Sequence, residues 1–119
     1  MEAKELRIGN YLIHDGYFIK SYSVDGFINI IKNIDNYDPI LLTEEWLVKF
    51  GAELKKVVGM DNEYNLKLGE VEISWDKKTG VTVFVLDTLE SFRVSYIKYV
   101  HQFQNFCFAL TNEELTTKQ

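Results

Sequence analysis

Cysteine occurs once in this chain of 119 residues, at Cys107, so no disulfide can close within it. A lone thiol suits a reducing compartment, and a cytoplasmic location is the expectation. Proline also occurs once, at Pro39, and seven glycines are too few for a flexible linker. No apolar run approaches the roughly 20 residues of a membrane span. The opening Met1–Arg7 lacks the apolar core of a signal peptide, so no membrane partner is expected. Positive charge is short as well: 13 Lys and Arg stand against 18 Asp and Glu, a net charge of −5 with a pI near 5.0. Proteins that bind nucleic acid neutralise phosphates with cations, so this balance argues against that class. Lys49, Lys55 and Lys56, like Lys77 and Lys78, read as solvated surface.

Aromatic residues are plentiful, with eight Phe, seven Tyr and two Trp, and hydrophobic residues make up 46% of the chain. That composition belongs to folded globular proteins and supplies one real core at this length. The expectation is a single α+β domain over residues 1–119. An N-terminal β-meander fills residues 1–38, and a short helix, a second antiparallel meander and a C-terminal helix packed on a sheet fill 39–119.

Residues 8–34 read as three strands, with Asp15-Gly16 and Asp25-Gly26 as hairpin turns that supply positive φ. Ile28, Ile30 and Ile34 fall on one face of the third strand. Thr43 through Gly51 reads as a short helix. Thr43 is its cap, Glu44 and Glu45 sit at the positive end of its dipole, and Gly51 is its left-handed stop. Trp46, Leu47 and Phe50 share its apolar face. Residues 55–96 read as the second antiparallel set. Tyr64, Leu66 and Leu68, then Val71, Ile73 and Trp75, then Val81, Val83 and Val85 alternate with polar residues around a turn at Asp76–Gly80.

The run from Ile97 to Leu110 carries the strongest helical period. Tyr96, Val100, Phe103, Cys107 and Leu110 step by four, three, four and three. Such a face needs burial, and the packed side of the second strand set is the expected place for it. Lys98, His101, Gln102 and Asn105 form a narrow polar stripe on the same helix. In a functional reading the stripe borders a groove or a partner. In a structural reading, the favoured one, His101 and Gln102 hydrogen-bond the backbone of Leu6–Tyr11 and fasten the N-terminal strands to the helix.

Chemistry-bearing motifs are missing. Neither His14 nor His101 has a Cys, His or carboxylate at ligand spacing, so no metal and no cofactor are expected. Cys107 sits on the apolar helix face, where a thiol behaves as a small hydrophobe. Gly9, Gly16 and Gly26 read as turn glycines, not as a phosphate-binding loop. Trp46 and Trp75 fall where core-facing residues belong. No catalytic residue is assigned.

Three segments carry a resemblance: Leu6-Arg7-Ile8-Gly9-Asn10-Tyr11-Leu12, Pro39 through Gly51, and Ile97 through Leu115 with its His-Gln…Asn…Phe-Ala-Leu-Thr string. Together they resemble a family of small uncharacterised proteins found in gut anaerobes, their phages and mobile elements. The family pattern has an aromatic residue and Gly where this chain has Cys107 and Asn112. The resemblance implies no activity. The opening is also similar to the first strands of an SH3-like barrel, a fold-level analogy to peptide or nucleic-acid recognition.

The leading functional expectation is a non-catalytic module that binds another protein, as a monomer or weak homo-oligomer. Its contact is an exposed sheet edge or the polar stripe. The alternative is nucleic-acid binding, with Arg7, Lys20 and Lys32 on phosphates and Tyr or Phe rings on bases. A small-molecule binder or enzyme with a pocket near His101 ranks third.

Overall fold

The computed structural model describes residues 1–56, 59 and 62–117. Residues 57, 58, 60 and 61, inside the second expected strand set, and residues 118–119 lie outside the described residues. The fold is α+β, and the chain clusters into two compact units. One comprises residues 1–41 and 99–114, and the other residues 42–98 and 115–119.

The first unit opens with a single 3-10 turn at Ala3–Glu5. β1 (Tyr11–His14) and β2 (Tyr17–Lys20) then pair antiparallel, with Leu12 opposite Ile19 and His14 opposite Tyr17. The two-residue turn between them has positive φ at both Asp15 and Gly16. That is the turn whose twist matches a hairpin, and Asp-Gly is among the few pairs that adopt it readily. The other edge of β1 is occupied at Ile13, which exchanges two backbone hydrogen bonds of 2.9 Å with Asp38.

The third expected strand is instead a helix, α1 (Val24–Lys32). Ser23 caps it, its hydroxyl oxygen accepting from the Gly26 amide at 3.1 Å, and Asp25 lies in the first turn, where the helix dipole favours a carboxylate. Asp25-Gly26 therefore starts a helix and does not turn a hairpin, and Gly26 is not a turn glycine. Ile30 and Ile34 satisfy both readings, because a spacing of four fits a strand and a helix alike. The helical one adds Phe27 and Ile31, the period-two one adds Ile28, and Ile28 is exposed. The first sheet thus has two strands, and the third strand of the expected SH3-like meander is absent.

α3 (Val100–Thr111) completes this unit and packs on β1. The Val100 amide donates to the Ile40 carbonyl at 2.8 Å, and the Gln102 side-chain oxygen accepts from the Tyr99 amide at 3.0 Å. The helix stops at Asn112, whose φ of 60° is the left-handed conformation common at helix ends. Val100, Phe103 and Cys107 are completely buried, whereas Tyr96, before the helix, and Leu110, near its end, are exposed, so the expected apolar stripe is buried only in its middle.

The second unit contains α2 (Glu44–Lys49) and a five-stranded antiparallel sheet. Its strands, β3 (Glu53–Lys55), β4 (Glu63–Leu68), β5 (Val71–Asp76), β6 (Gly80–Val85) and β7 (Glu90–Val94), lie in chain order. The register lines up Tyr64, Trp75 and Val81 in one row and Leu66, Ile73 and Val83 in the next, all buried. α2 packs on β4, and the Tyr64 hydroxyl donates to Glu44 at 3.1 Å. Within this unit the helix against the sheet is therefore α2. The expectation had assigned that place to the last helix, which clusters with the first unit.

Thr43 makes no side-chain capping bond, contrary to expectation. The far end of α2 follows expectation: with Gly51 at φ +97°, the Gly51 amide reaches the Val48 carbonyl and the Ala52 amide reaches that of Leu47, both at 2.9 Å. This paired closure needs the left-handed residue that glycine supplies. The Asp76–Gly80 turn is held by the Asp76 carboxylate, which accepts from the Lys78 and Thr79 amides at 2.9 and 2.7 Å.

Leu89, in the β6–β7 connection, is 88% exposed and holds a φ of 58°. A branched side chain in that conformation crowds the neighbouring carbonyl with no burial to offset it. Leu89→Gly is expected to stabilise the protein by about 0.5–1 kcal/mol, net of the extra chain entropy that glycine loses on folding. A urea melt with an unchanged slope and a higher midpoint checks it; a lower midpoint refutes it.

Candidate functional site

Polar residues from the two ends of the chain meet inside the first unit. Gly9 makes the approach possible: its φ is +97°, and a Cβ there would stand 3.1 Å from a Glu114 carboxylate oxygen. The Asn10 amide donates to the Arg7 carbonyl at 3.1 Å, while the Asn10 side-chain oxygen accepts from the Arg7 amide at 2.7 Å. Asn10 is buried and its side-chain nitrogen donates to the Asn105 side-chain oxygen at 2.8 Å.

α3 answers with two amides. Gln104, fully buried, donates to the Gly9 carbonyl at 2.9 Å and accepts from the Tyr11 amide at 2.8 Å. Its side chain does for this backbone what a neighbouring strand would do. Asn105 donates to the Glu5 carbonyl at 2.8 Å and closes the link to Asn10. Arg7 pairs with Glu114 and lies 4.1 Å from the centroid of the Phe108 ring. An arginine over an aromatic face is favourable in itself, and the ring also orients the guanidinium.

His101 is 1% exposed, and neither ring nitrogen has a hydrogen-bond partner. Its ring stacks on Tyr99 at 5.9 Å, and Nε2 stands 3.6 Å from Glu5 Oε1. Burial pulls the imidazole pKa below its ordinary value, outweighing the nearby Glu5 carboxylate. Glu5 itself is held below the usual carboxylate range, first by the hydrogen bond from the Glu2 amide, against burial, with His101 assisting.

The expected stripe therefore divides. Asn105 fastens the N-terminal segment. Gln102 caps its own helix at Tyr99, and Lys98 lies before the helix and is exposed. His101 is inside the protein, not on a partly exposed face, and it makes no backbone hydrogen bond. The N-terminal segment is fastened by Gln104 and Asn105, and His101 contributes no hydrogen bond to it. Gln104 escaped the reading although a signal was present. It sits four residues after Val100 and three before Cys107, a polar residue within an apolar stripe, and a buried amide has to find partners.

Elsewhere, burial pushes the Cys107 thiol up to about 12, so it stays a thiol at neutral pH. His14 stacks on Tyr37 at 4.6 Å and sits 3.3 Å from the Asp15 carboxylate, as a hairpin-end residue would. Among the described residues, no three of His, Cys, Asp and Glu converge as metal ligands. Among the described residues, the second unit has open clefts. One of about 400 Å³ is lined by Glu44, Glu45, Val48, Lys49 and Tyr64, and one of about 300 Å³ by Glu44, Asn62, Lys77 and Lys78. No family model, no curated protein and no solved structure matches this chain.

Proposed function

We propose that this chain is a non-catalytic, cytoplasmic protein-interaction module that uses the β2–α1 stretch of its first unit as the contact. The observation that carries the reading is a concentration of exposed large apolar side chains within twelve residues. Tyr17 is 75% exposed, Phe18 54%, Tyr22 84%, Val24 61% and Ile28 44%. Scattered apolar residues are ordinary on a surface, but a run of this kind is what contact surfaces display. Phe18 and Lys20 share one face of β2. The Lys20 ammonium lies 5.2 Å from the Tyr11 ring centroid and 5.4 Å from that of Tyr22, which braces both tyrosines. Tyrosine held this way offers large contact area at low entropic cost. The polar stripe is the weaker candidate, since Asn105 is bonded internally and His101 is buried.

Charge favours a protein over a nucleic acid. The cations of the first unit are Lys4, Arg7, Lys20 and Lys32, against Glu2, Glu5, Asp15, Asp25, Asp35, Asp38, Glu113 and Glu114. Arg7 is already paired with Glu114, which removes one of the three cations that the alternative requires. Phosphate contacts would start from net repulsion.

A photo-reactive amino acid in place of Tyr22, with the same group in place of Lys78 as control, tests the proposal in cells that make the protein. A protein adduct at position 22 and none at 78 is the expected result; no adduct at 22, or equal adducts at both, removes the reading. The double variant Tyr17→Ser, Tyr22→Ser should keep its stability within about 0.5 kcal/mol, as exposed substitutions do, and lose the adduct partner. Salt-sensitive retention on single-stranded nucleic acid would support the alternative instead.

A further inference from the structure

We propose that His101 and Glu5 form an acid-sensitive latch, which holds the N-terminal segment, residues 1–10, against α3 and releases it on mild acidification. The geometry places a titratable ring at 1% exposure, directly under the carboxylate of the segment it would release. Both ring nitrogens lack a hydrogen-bond partner. The neutral imidazole tolerates that site, stacked on Tyr99, with one N–H at most left unmet. An imidazolium has two donors to satisfy, and Glu5 Oε1, at 3.6 Å from Nε2, is within ion-pair reach but beyond hydrogen-bond range. The other oxygen of that carboxylate already accepts from the Glu2 amide at 2.6 Å.

The charged groups that face the ring all come from the N-terminal segment: the Glu5 carboxylate, which favours protonation, and the Met1 α-amino group, which opposes it. Burial exceeds both, and the balance disfavours the charged ring in the closed state. A released segment would let the ring reach water and recover an ordinary histidine pKa, about 6.5. The released state therefore takes up a proton that the closed state resists. The ratio of released to closed molecules rises by up to about tenfold per pH unit below about 6.5, until the closed state also protonates. Glu5 stays ionised through that window, because its own pKa is lowered and its loss begins only in the carboxylate range. Of the two latch groups, His101 and not Glu5 therefore carries the response between neutrality and the carboxylate range.

Release would break a defined set of bonds. The Gly9 and Glu5 carbonyls lose their donors, Asn10 leaves Asn105, Arg7 leaves Glu114, and the Tyr11 amide, where the segment joins β1, leaves the Gln104 side chain. These give the latch an observable besides the histidine.

Two measurements on the full chain test it by NMR: titration of the His101 ring, and hydrogen exchange of the Tyr11 amide corrected for intrinsic rates. The expected result is a His101 pKa below about 6.5 together with Tyr11 protection that falls several-fold between about pH 7 and 5.5, while the Ile73 amide of the five-stranded sheet holds steady. His101→Phe keeps a ring against Tyr99 without a titrating group and should flatten the Tyr11 response. A His101 pKa at or above the ordinary value would mean that Glu5 tightens on the imidazolium, and it overturns the latch. A lowered pKa with unchanged Tyr11 protection also overturns it, because burial would then be uncoupled from release. If His101→Phe fails to fold, the titration and exchange of the unaltered protein decide between these outcomes.

Discussion

Gln104→Leu is expected to destabilise the protein by about 2–4 kcal/mol, more than any other polar substitution in the chain. Leucine is close to glutamine in volume, so the loss is not one of packing. It strands two backbone groups. The Gly9 carbonyl is buried with its donor gone, and the Tyr11 amide, part-buried, loses its acceptor. Each group left unmet away from water costs about 1–3 kcal/mol, against total stabilities of about 5–15 kcal/mol for domains of this kind. Gln102→Leu is the internal control. Gln102 is half-buried and accepts from the Tyr99 amide at the helix start, and loss of that bond should cost about 0.5–1 kcal/mol. Urea melts of the two variants decide the matter. A Gln104→Leu protein within 0.5 kcal/mol of the parent, or no more affected than Gln102→Leu, means that water or backbone adjustment replaces the glutamine, and the fastening role fails.

The central strands of the second unit were legible because nothing in their sequence competes with the period of two. Tyr64, Leu66, Ile73, Trp75, Val81 and Val83 are each buried where alternation puts them. Asp76–Gly80 marks the turn with residues that only a tight connection favours. β3 was missed because Glu53–Lys55 is exposed throughout, and a strand with no buried face leaves no periodic trace. α1 was misread for the opposite reason. Its isoleucines satisfy two periods at once, and the Asp25-Gly26 pair is a strong hairpin signal in isolation, so Ser23 was not read as a helix cap. The contest is settled by the Ser23–Gly26 hydrogen bond and by the exposure of Ile28, neither of which composition displays.

In the site, the sequence displayed the partners but not the pairing. Asn105 was selected for being polar on a helix, and it does bind the N-terminal segment. His101 was selected by the same argument and turned out buried, next to Val100 and beneath Glu5 of the N-terminal segment. Residues 9 and 104 are far apart in the chain, and only tertiary structure can show that one amide serves both Gly9 and Tyr11. What could have been inferred is the requirement itself: a glutamine between Phe103 and Cys107 must be satisfied from elsewhere.

Phe103→Ala is expected to cost about 3–5 kcal/mol, the largest effect of any apolar substitution proposed for the first unit. Phe103 is completely buried, with Val100 one turn before it and Cys107 one turn after on the same face of α3. Truncation removes the whole ring and leaves a void that rigid neighbours on a short helix cannot collapse to fill. Phe108 offers the contrast. It is half-buried beneath the Arg7 guanidinium, so Phe108→Ala should cost about 1–2 kcal/mol, much of it through loss of support for the Arg7–Glu114 pair. The two differ in salt response as well. Added salt should narrow the gap between parent and Phe108→Ala, since a part-exposed ion pair is screened, and should leave the Phe103→Ala deficit unchanged. Equal costs at both positions, or a Phe103→Ala variant that loses less than about 1 kcal/mol, would mean that α3 is not the packed element on which the first unit depends.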